Sequence, residues 1–345
     1  MDSETVFFTP WNPYVNMLTK TRDLYQAAHL FDVVNEGDLV AVKLHMGELG
    51  NPNYVRPFFI KQIVDLIKDA GAKPFLTDTS TYYPVKRSNA FDYMETAAAN
   101  GFGFAPLIIA DGLNSENAVS VPSPDPLLPK IEVAGAIHQA QAMVVVSHFK
   151  GHPLAGYGGA IKNIGMGCVS KKTKLDQHRV VDIEVDDDRC KGCGVCVEAC
   201  WFGLPRIENY KATMAGHPQC MRCLNCSSAC PEGAIQLKGR HKLGTAIAIA
   251  ASAVLSTFQK GKVAYISFAH DMSTFCDCVP FQGETIGPDL GIFAGFSPLS
   301  IDAAGLNRIN YQYLNKIHST ECMAQVNYLA RSNHPGSLEP RIVEV

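Results

Sequence analysis

Eight of the chain's twelve cysteines fall into two copies of one pattern, and this feature constrains the fold more than any other. Cys190-x-x-Cys193-x-x-Cys196-x-x-x-Cys200 recurs thirty residues later as Cys220-x-x-Cys223-x-x-Cys226-x-x-x-Cys230-Pro231. A cubane iron–sulfur cluster needs four thiolates, and a tight CxxCxxC loop supplies three of them. In paired runs of this spacing the fourth cysteine of each run serves the other cluster. The spacing therefore assigns Cys190, Cys193, Cys196 and Cys230 to one [4Fe–4S] cluster. Cys220, Cys223, Cys226 and Cys200 go to a second. Structural zinc is the competing reading, but its sites show two CxxC pairs rather than triple runs. Disulfide frameworks belong to short secreted chains.

At 345 residues the chain is too long for a two-cluster ferredoxin alone and has room for one large or two ordinary domains. Hydrophobic residues make up 47% and charged residues 18%, a globular balance. A net charge of −3 gives no case for nucleic acid or an anionic membrane surface. The Met1–Thr5 segment is acidic and has no basic signal region. The longest apolar stretch, 243–258, is shorter than a membrane span and reads as a buried or interface helix. Cluster cysteines without an export signal predict a reducing cytoplasm, and oxygen-labile cubanes fit an anaerobic host.

On both sides of the cysteines, apolar β-branched runs alternate with segments of helical periodicity. Strands are predicted at 38–44, 73–77, 106–110, 142–146, 262–268 and 290–294. Helices are predicted at 59–70, ending at Gly71, at 91–99, ending near Gly101, and at 131–141, 243–258 and 300–309. Strands apolar on both faces and separated by helices indicate a mainly parallel, doubly wound α/β sheet. The expected organisation is an α/β body over 1–185 and 238–345, interrupted by a two-cluster ferredoxin-like α+β module over 186–237. The acidic run Asp186-Asp187-Asp188 marks its entry and is otherwise a solvated linker.

Open parallel sheets place ligands at the carboxyl ends of their strands. His45, Gly47-Glu48 and Asn51 follow the first predicted strand; Asp78, Ser80 and Tyr82 follow the second. Ser147-His148-Phe149-Lys150-Gly151-His152 follows the fourth, and His270-Asp271 with Cys276-Asp277-Cys278 follow the fifth. His45, Asp78, His148, Lys150, His152 and Lys162 are thus candidate catalytic residues, with histidine or lysine as proton donor. Gly156-Tyr157-Gly158-Gly159 runs into a predicted helix. Gly156, Gly158, Gly159 and Lys162 would form an anion cradle there, the alternative being a flexible turn. Cys276, Asp277 and Cys278 with His270 would make a third metal site, the alternative being two plain thiols. Cys168 and Cys322 read as small core residues.

Several of these segments resemble the DUF362 family, whose members are frequently fused to ferredoxin modules. The resembling residues are Val40–Leu44, Ser147–His152, Gly156–Cys168, Cys276-Asp277-Cys278, Pro288–Ile292 and Phe296–Asp302. The likeness covers nearly the whole chain and identifies a family without assigning its chemistry. A more distant similarity is to the nickel-pincer lactate racemases, which carry a Gly-Tyr-x-Gly-Gly stretch with a nearby lysine. Here Gly156-Tyr157-Gly158-Gly159 is compressed relative to that pattern. This resemblance implies a body that holds an additional metal or organic cofactor. Trp201 follows Cys200 where many ferredoxins have proline, a change that bears on packing around the second cluster.

The expected function is an iron–sulfur oxidoreductase that relays single electrons from a soluble ferredoxin-like donor to a small-molecule or metal site in the α/β body. One alternative is a non-catalytic electron carrier whose body docks redox partners. Another is a non-redox metal enzyme with structural or oxygen-sensing clusters.

Overall fold

The computed structural model describes residues 2–213 and 220–345, so residues 214–219 of the expected insert lie outside the described residues. An eight-stranded sheet forms the body. Its strands are β1 (Thr5–Pro10), β2 (Leu39–Lys43), β3 (Lys73–Asp78), β4 (Leu107–Ile109), β5 (Ala142–His148), β6 (Val263–Ala269), β7 (Gly291–Gly295) and β8 (Arg341–Glu344). They lie in the order β8-β1-β7-β6-β5-β2-β3-β4. Every neighbouring pair is parallel except the two that involve β7, which runs antiparallel to both β1 and β6. The mainly parallel α/β class is as expected, with that one reversal.

Burial explains the order. All seven residues of β5 are buried, as a central strand covered on both faces requires. Alternate side chains feed two separate cores: Met143 and Val145 pack with Tyr265 and Phe293, whereas Val144 and Val146 pack with Val42, Ile266 and Ile292. Helix Pro57–Asp69 closes the second core through Phe59, Ile60, Ile63, Val64 and Ile67, all buried. Each such side chain contributes about 1.5–3 kcal/mol of transfer free energy. The helix ends before Gly71, whose φ of +81° supplies the left-handed turn.

Helix Arg240–Leu255 lies in the first core with ten buried residues, the interface-helix role expected of the apolar stretch. Among the described residues no helix is long and apolar enough to cross a membrane. One helix prediction needs correction. Over 131–141 only Gly135–Gln139 is helical, and Lys130–Ala134 is a strand paired antiparallel with Ala118–Pro122. The period is 2 there, since Ile131 and Val133 are buried and Glu132 between them is half-buried.

The cysteine runs occupy an excursion from this body. Strands Asp182–Val185 and Ile235–Lys238 pair antiparallel and bring its two ends together. Between them lie short helices Val195–Glu198 and Asn225–Ala229 and a hairpin of Arg206–Glu208 with Lys211–Thr213. Cys190, Cys196, Ala212, Cys226, Ala234 and Ile235 form a small core of their own.

Candidate functional site

The excursion brings its eight cysteines together in two groups of four. One small cavity is lined by Cys190, Cys193, Cys196 and Cys230, with Ile207, Ala212 and Ile235. A second is lined by Cys200, Cys220, Cys223 and Cys226, with Ile183, Phe202 and Leu204. Each group takes three cysteines from one run and the fourth from the other. The two loops also share one backbone course, with positive φ at Gly192 (65°) and Gly194 (81°) and at their counterparts Arg222 (54°) and Leu224 (74°). Left-handed backbone at a bulky residue such as Leu224 costs about 1–2 kcal/mol, so the shape is imposed by what the loop must surround. Backbone amides of Ala212, Leu204 and Ala234 donate to the sulfurs of Cys190, Cys200 and Cys230 at 3.3, 3.5 and 3.3 Å. Thiol sets closed over apolar cavities and approached by N–H donors fit an iron–sulfur group.

The body carries a larger cavity, about 600 Å³, at the carboxyl ends of β2, β3 and β5. All six candidate catalytic residues line it. Asp78 closes β3 and accepts from Lys43 Nζ at 2.9 Å and from the Tyr93 hydroxyl. Burial alone would raise its pKa, but above all the charge of Lys43 overcomes this and holds it at about 2. His45 Nδ1 accepts the Gly47 amide at 3.0 Å, and its buried Nε2 has no hydrogen-bond partner among the described residues. Burial and nearby Arg87 keep this imidazole well below 6.5. His148 Nδ1 meets Asp277 at 2.8 Å and its Nε2 meets the His270 carbonyl at 2.8 Å. Two acceptors around one ring are satisfied together only by the imidazolium. Lys150 Nζ binds the other oxygen of Asp277 at 2.8 Å, and these cations hold that carboxyl far below its usual range despite burial.

Lys162 differs from the other lysines of the cavity. No ion pair or hydrogen bond of its ammonium occurs among the described residues. Burial, then repulsion from Lys150, depresses its pKa to about 7. Its expected setting needs correction. The amides of Ala160 and Ile161, at the start of helix Ala160–Gly165, donate to Asp302 at 2.7 and 2.9 Å, and Tyr157 Oη donates to the same carboxylate at 3.0 Å. The chain's own carboxylate therefore fills the cradle expected at Gly156, Gly158 and Gly159. A Cβ at Gly159 would stand 2.4 Å from that carboxylate.

The third metal site is not assembled either. Cys276 and Cys278 are joined in a disulfide, and Asp277 is engaged by His148 and Lys150. His270 faces Arg56 and Asp271 through Nδ1, stacks on Trp11 at 4.6 Å, and does not line the cavity. His152 takes its place, with a ring nitrogen and both sulfurs all within 4.8 Å of one another. Sequence reasoning passed over Arg87, Lys43 and Lys174. Arg87 binds Glu48 at 2.9 Å beneath the cavity, and burial lowers Lys174 to about 8. Lys43 had a readable signal, a lysine inside the apolar run Val40–Leu44. Lys174 had none, because its helix, Lys171–Arg179, is polar but for Leu175 and reads as solvated.

The two sites adjoin. Cys223, Asn225 and Trp201 line both the second cysteine cavity and the body cavity. Trp201 stacks on Tyr83 with ring centroids 6.2 Å apart, and Tyr82 Oη donates to the Met221 carbonyl at 3.2 Å. The tryptophan that departs from the ferredoxin pattern is thus a contact with the body.

Comparison with known proteins gives two levels of likeness. Over 58 residues, 16% of this chain and 97% of the relative, it is 36% identical to a ferredoxin of Methanothermococcus thermolithotrophicus. This likeness and the clustered cysteines point to iron–sulfur binding. Among solved structures, a structural-genomics protein of Thermotoga maritima matches with a TM-score of 0.44 and 9% identity over 93% of this chain. The lactate racemase apoprotein of Thermoanaerobacterium thermosaccharolyticum matches with a TM-score of 0.37 and 12% identity over 85%. The chain spans 61% and 54% of the lengths of those two proteins. Residues 40–307 match the domain of unknown function DUF362, which takes in the strand ends, the cavity and both cysteine runs, and the chain belongs to that family.

Proposed function

We propose that this protein is an iron–sulfur oxidoreductase that delivers single electrons to a small anionic substrate in the body cavity. The observation that carries the reading is the shared wall: Cys223 borders both the second cysteine cavity and the body cavity. In this reading residues 186–237 are a two-cluster ferredoxin-like module. Cys190, Cys193, Cys196 and Cys230 would hold one [4Fe–4S] group, and Cys220, Cys223, Cys226 and Cys200 the other. Such groups, when bound, supply one-electron transfer at low potential. Cys193 is exposed, which favours its side of the module as the docking face for a soluble redox partner.

The body supplies charge and protons. Lys43, Lys150, Lys162, Lys174 and Arg87 line the cavity against Glu48, Asp78 and Asp277, an excess that suits an anion. Reduction needs protons at the reacting centre, and Lys162, with its pKa depressed to about 7, is the residue placed to carry them. The ferredoxin-like segment and the apposed cavities favour this reading over a non-redox metal enzyme.

Anaerobic purification with iron and labile-sulfide analysis tests it. The expected result is about eight irons and eight sulfides per chain, from the ligand count of two cubanes. Reduced samples should show the paramagnetic signal of two interacting clusters. Cys223→Ser should remove about half the iron. Stoichiometric zinc with no labile sulfide would overturn the reading.

A further inference from the structure

We propose that Cys276 and Cys278 are a redox-active dithiol–disulfide couple, the working group of the body cavity, whose substrate is a small anionic disulfide. The inference rests on the oxidoreductase reading above and names its acceptor and substrate class. Four observations carry it. The two sulfurs are bonded to each other across one intervening residue. A ring that small constrains the unfolded chain least, so a purely stabilising role is poorly served. Both cysteines line the cavity, and they differ in access: Cys276 is buried, Cys278 half-buried. A more accessible attacking sulfur backed by a buried resolving one suits thiol–disulfide exchange, whose rate depends on access.

The loop between them is fixed on every side. Asp277 is held by His148 and Lys150, its carbonyl accepts the Glu48 amide at 2.8 Å, and the Cys278 carbonyl accepts from Arg87 at 3.4 Å. Held this way, the pair can open and close without moving the backbone. His152 stands beside both sulfurs, and its Nδ1 accepts the amides of Leu154 and Ala155 at 3.2 and 3.0 Å. Its remaining nitrogen, Nε2, therefore carries the hydrogen of the neutral ring. That makes His152 a hydrogen-bond donor to sulfur rather than a metal ligand. With Asp277 also committed, a metal would find only two thiolates.

The chemistry balances. Two electrons, delivered one at a time by an iron–sulfur donor, and two protons from solvent break the Cys276–Cys278 bond and leave two thiols. The Cys278 thiolate then attacks a substrate disulfide, expelling one substrate thiolate and forming a mixed disulfide. The Cys276 thiolate attacks that bond, releases the second substrate thiolate and restores the Cys276–Cys278 bond. Net, one substrate disulfide becomes two thiols for two electrons and two protons. A disulfide persisting in a chain whose other sites need free thiolates is of the transient, catalytic kind.

The test is acid quench, denaturation and alkylation of the cluster-loaded protein, read by peptide mass spectrometry. Before reduction, Cys276 and Cys278 should be unalkylated while Cys168 and Cys322 are fully alkylated. After two reducing equivalents both should become alkylated together. Addition of 5,5′-dithiobis(2-nitrobenzoate), an anionic disulfide, should return them to the protected state and release thionitrobenzoate. The cationic disulfide cystamine should react at least tenfold more slowly. In protein stripped of iron, poised glutathione mixtures should give a two-electron transition of the same pair. His152→Ala should slow the exchange roughly tenfold, the loss of one hydrogen bond to a charged sulfur, without changing the iron content. Alkylation of both cysteines at every poise, or recovery of the pair with one equivalent of tightly bound metal, would sink the proposal. Eight irons without any change at Cys276 and Cys278 would overturn the couple and spare the relay. A competent couple in a protein that binds no iron would do the reverse.

Discussion

Lysine chemistry in this cavity is decided by neighbours rather than by residue type. Lys43 and Lys162 both lie in the wall at the strand ends, yet Lys43 binds Asp78 at 2.9 Å and Asn163 at 2.6 Å while Lys162 binds neither. Desolvation disfavours the charged form of any buried amine. With no carboxylate bonded to it among the described residues, Lys162 is depressed to about 7 by burial, with Lys150 adding to the effect and the more distant Asp277 and Asp78 offsetting only part of it. Lys162 is therefore an ammonium below about pH 7 and a neutral amine above. Anion affinity should be present at low pH and fall as pH rises through 7. Competitive acylation across pH, read by peptide mass spectrometry, should show Lys162 reaching half-maximal reactivity near pH 7, against about 10.4 for exposed lysines. A midpoint near 10 would refute the assignment. Lys162→Arg should remove the part of the fall in sulfate binding that is centred near pH 7. The sequence singles out Lys162, and the structure places it in the cavity wall without the cradle expected beside it. Its neighbouring glycines looked like a cradle, and nothing local to Gly156–Lys162 announces Asp302.

That carboxylate belongs at the scale of elements. Asp302 sits in helix Pro298–Leu306 and reaches across to the start of helix Ala160–Gly165, more than 140 residues earlier in sequence. It satisfies two buried amides and a tyrosine hydroxyl, and so locks two helices of the first core to each other. Asp302→Ala would strand all three donors at about 1–3 kcal/mol each, and the urea midpoint should fall sharply. Asp302→Asn retains one acceptor oxygen and should lose clearly less. Equal losses in the two variants would show that the contact is packing alone. Legibility divides along the same line. Helix 59–70 and strand 142–146 were readable because their period and apolarity are local. The strand Lys130–Ala134 was misread because Ile131 and Val133 suit either period until a partner, Ala118–Pro122, is present. The reversal of β7 was hidden likewise, since five apolar residues carry no direction. At the site, β2, β3 and β5 delivered their histidines and Asp78 to one edge, as parallel strands must. His152 in place of His270 depended on the turn between Lys150–His152 and Gly156–Gly158, a pairing that spacing does not encode.

At the scale of the whole molecule, the excursion leaves and returns through one pair of short strands and packs Ile183, Leu224 and Leu237 against the first core of the body. Trp201 stacks on Tyr83, Tyr82 holds the Met221 carbonyl, and Arg222 Nε donates to the Val181 carbonyl at 3.2 Å. The proposed function needs the Cys223 loop held against the cavity. Trp201 is the residue that both jobs share, since it lines the two cavities and makes the aromatic contact. The four cysteines of its cavity do not depend on that ring. Trp201→Ala should accordingly leave iron content at about eight per chain while removing a stacking contact of about 0.5–1.5 kcal/mol. Hydrogen exchange should rise in the Tyr82–Tyr83 loop and in strands Asp182–Val185 and Ile235–Lys238, with β5 and β6 unchanged. Reduction of the Cys276–Cys278 pair by the same donor should slow while its equilibrium position stays fixed, because position and not chemistry is altered. Trp201→Phe keeps an aromatic face for Tyr83 and should recover most of the rate. Unchanged exchange in Trp201→Ala would mean that the hydrogen bonds of Tyr82 and Arg222 suffice to hold the module. Loss of iron would mean instead that the ring supports the cysteine loop itself.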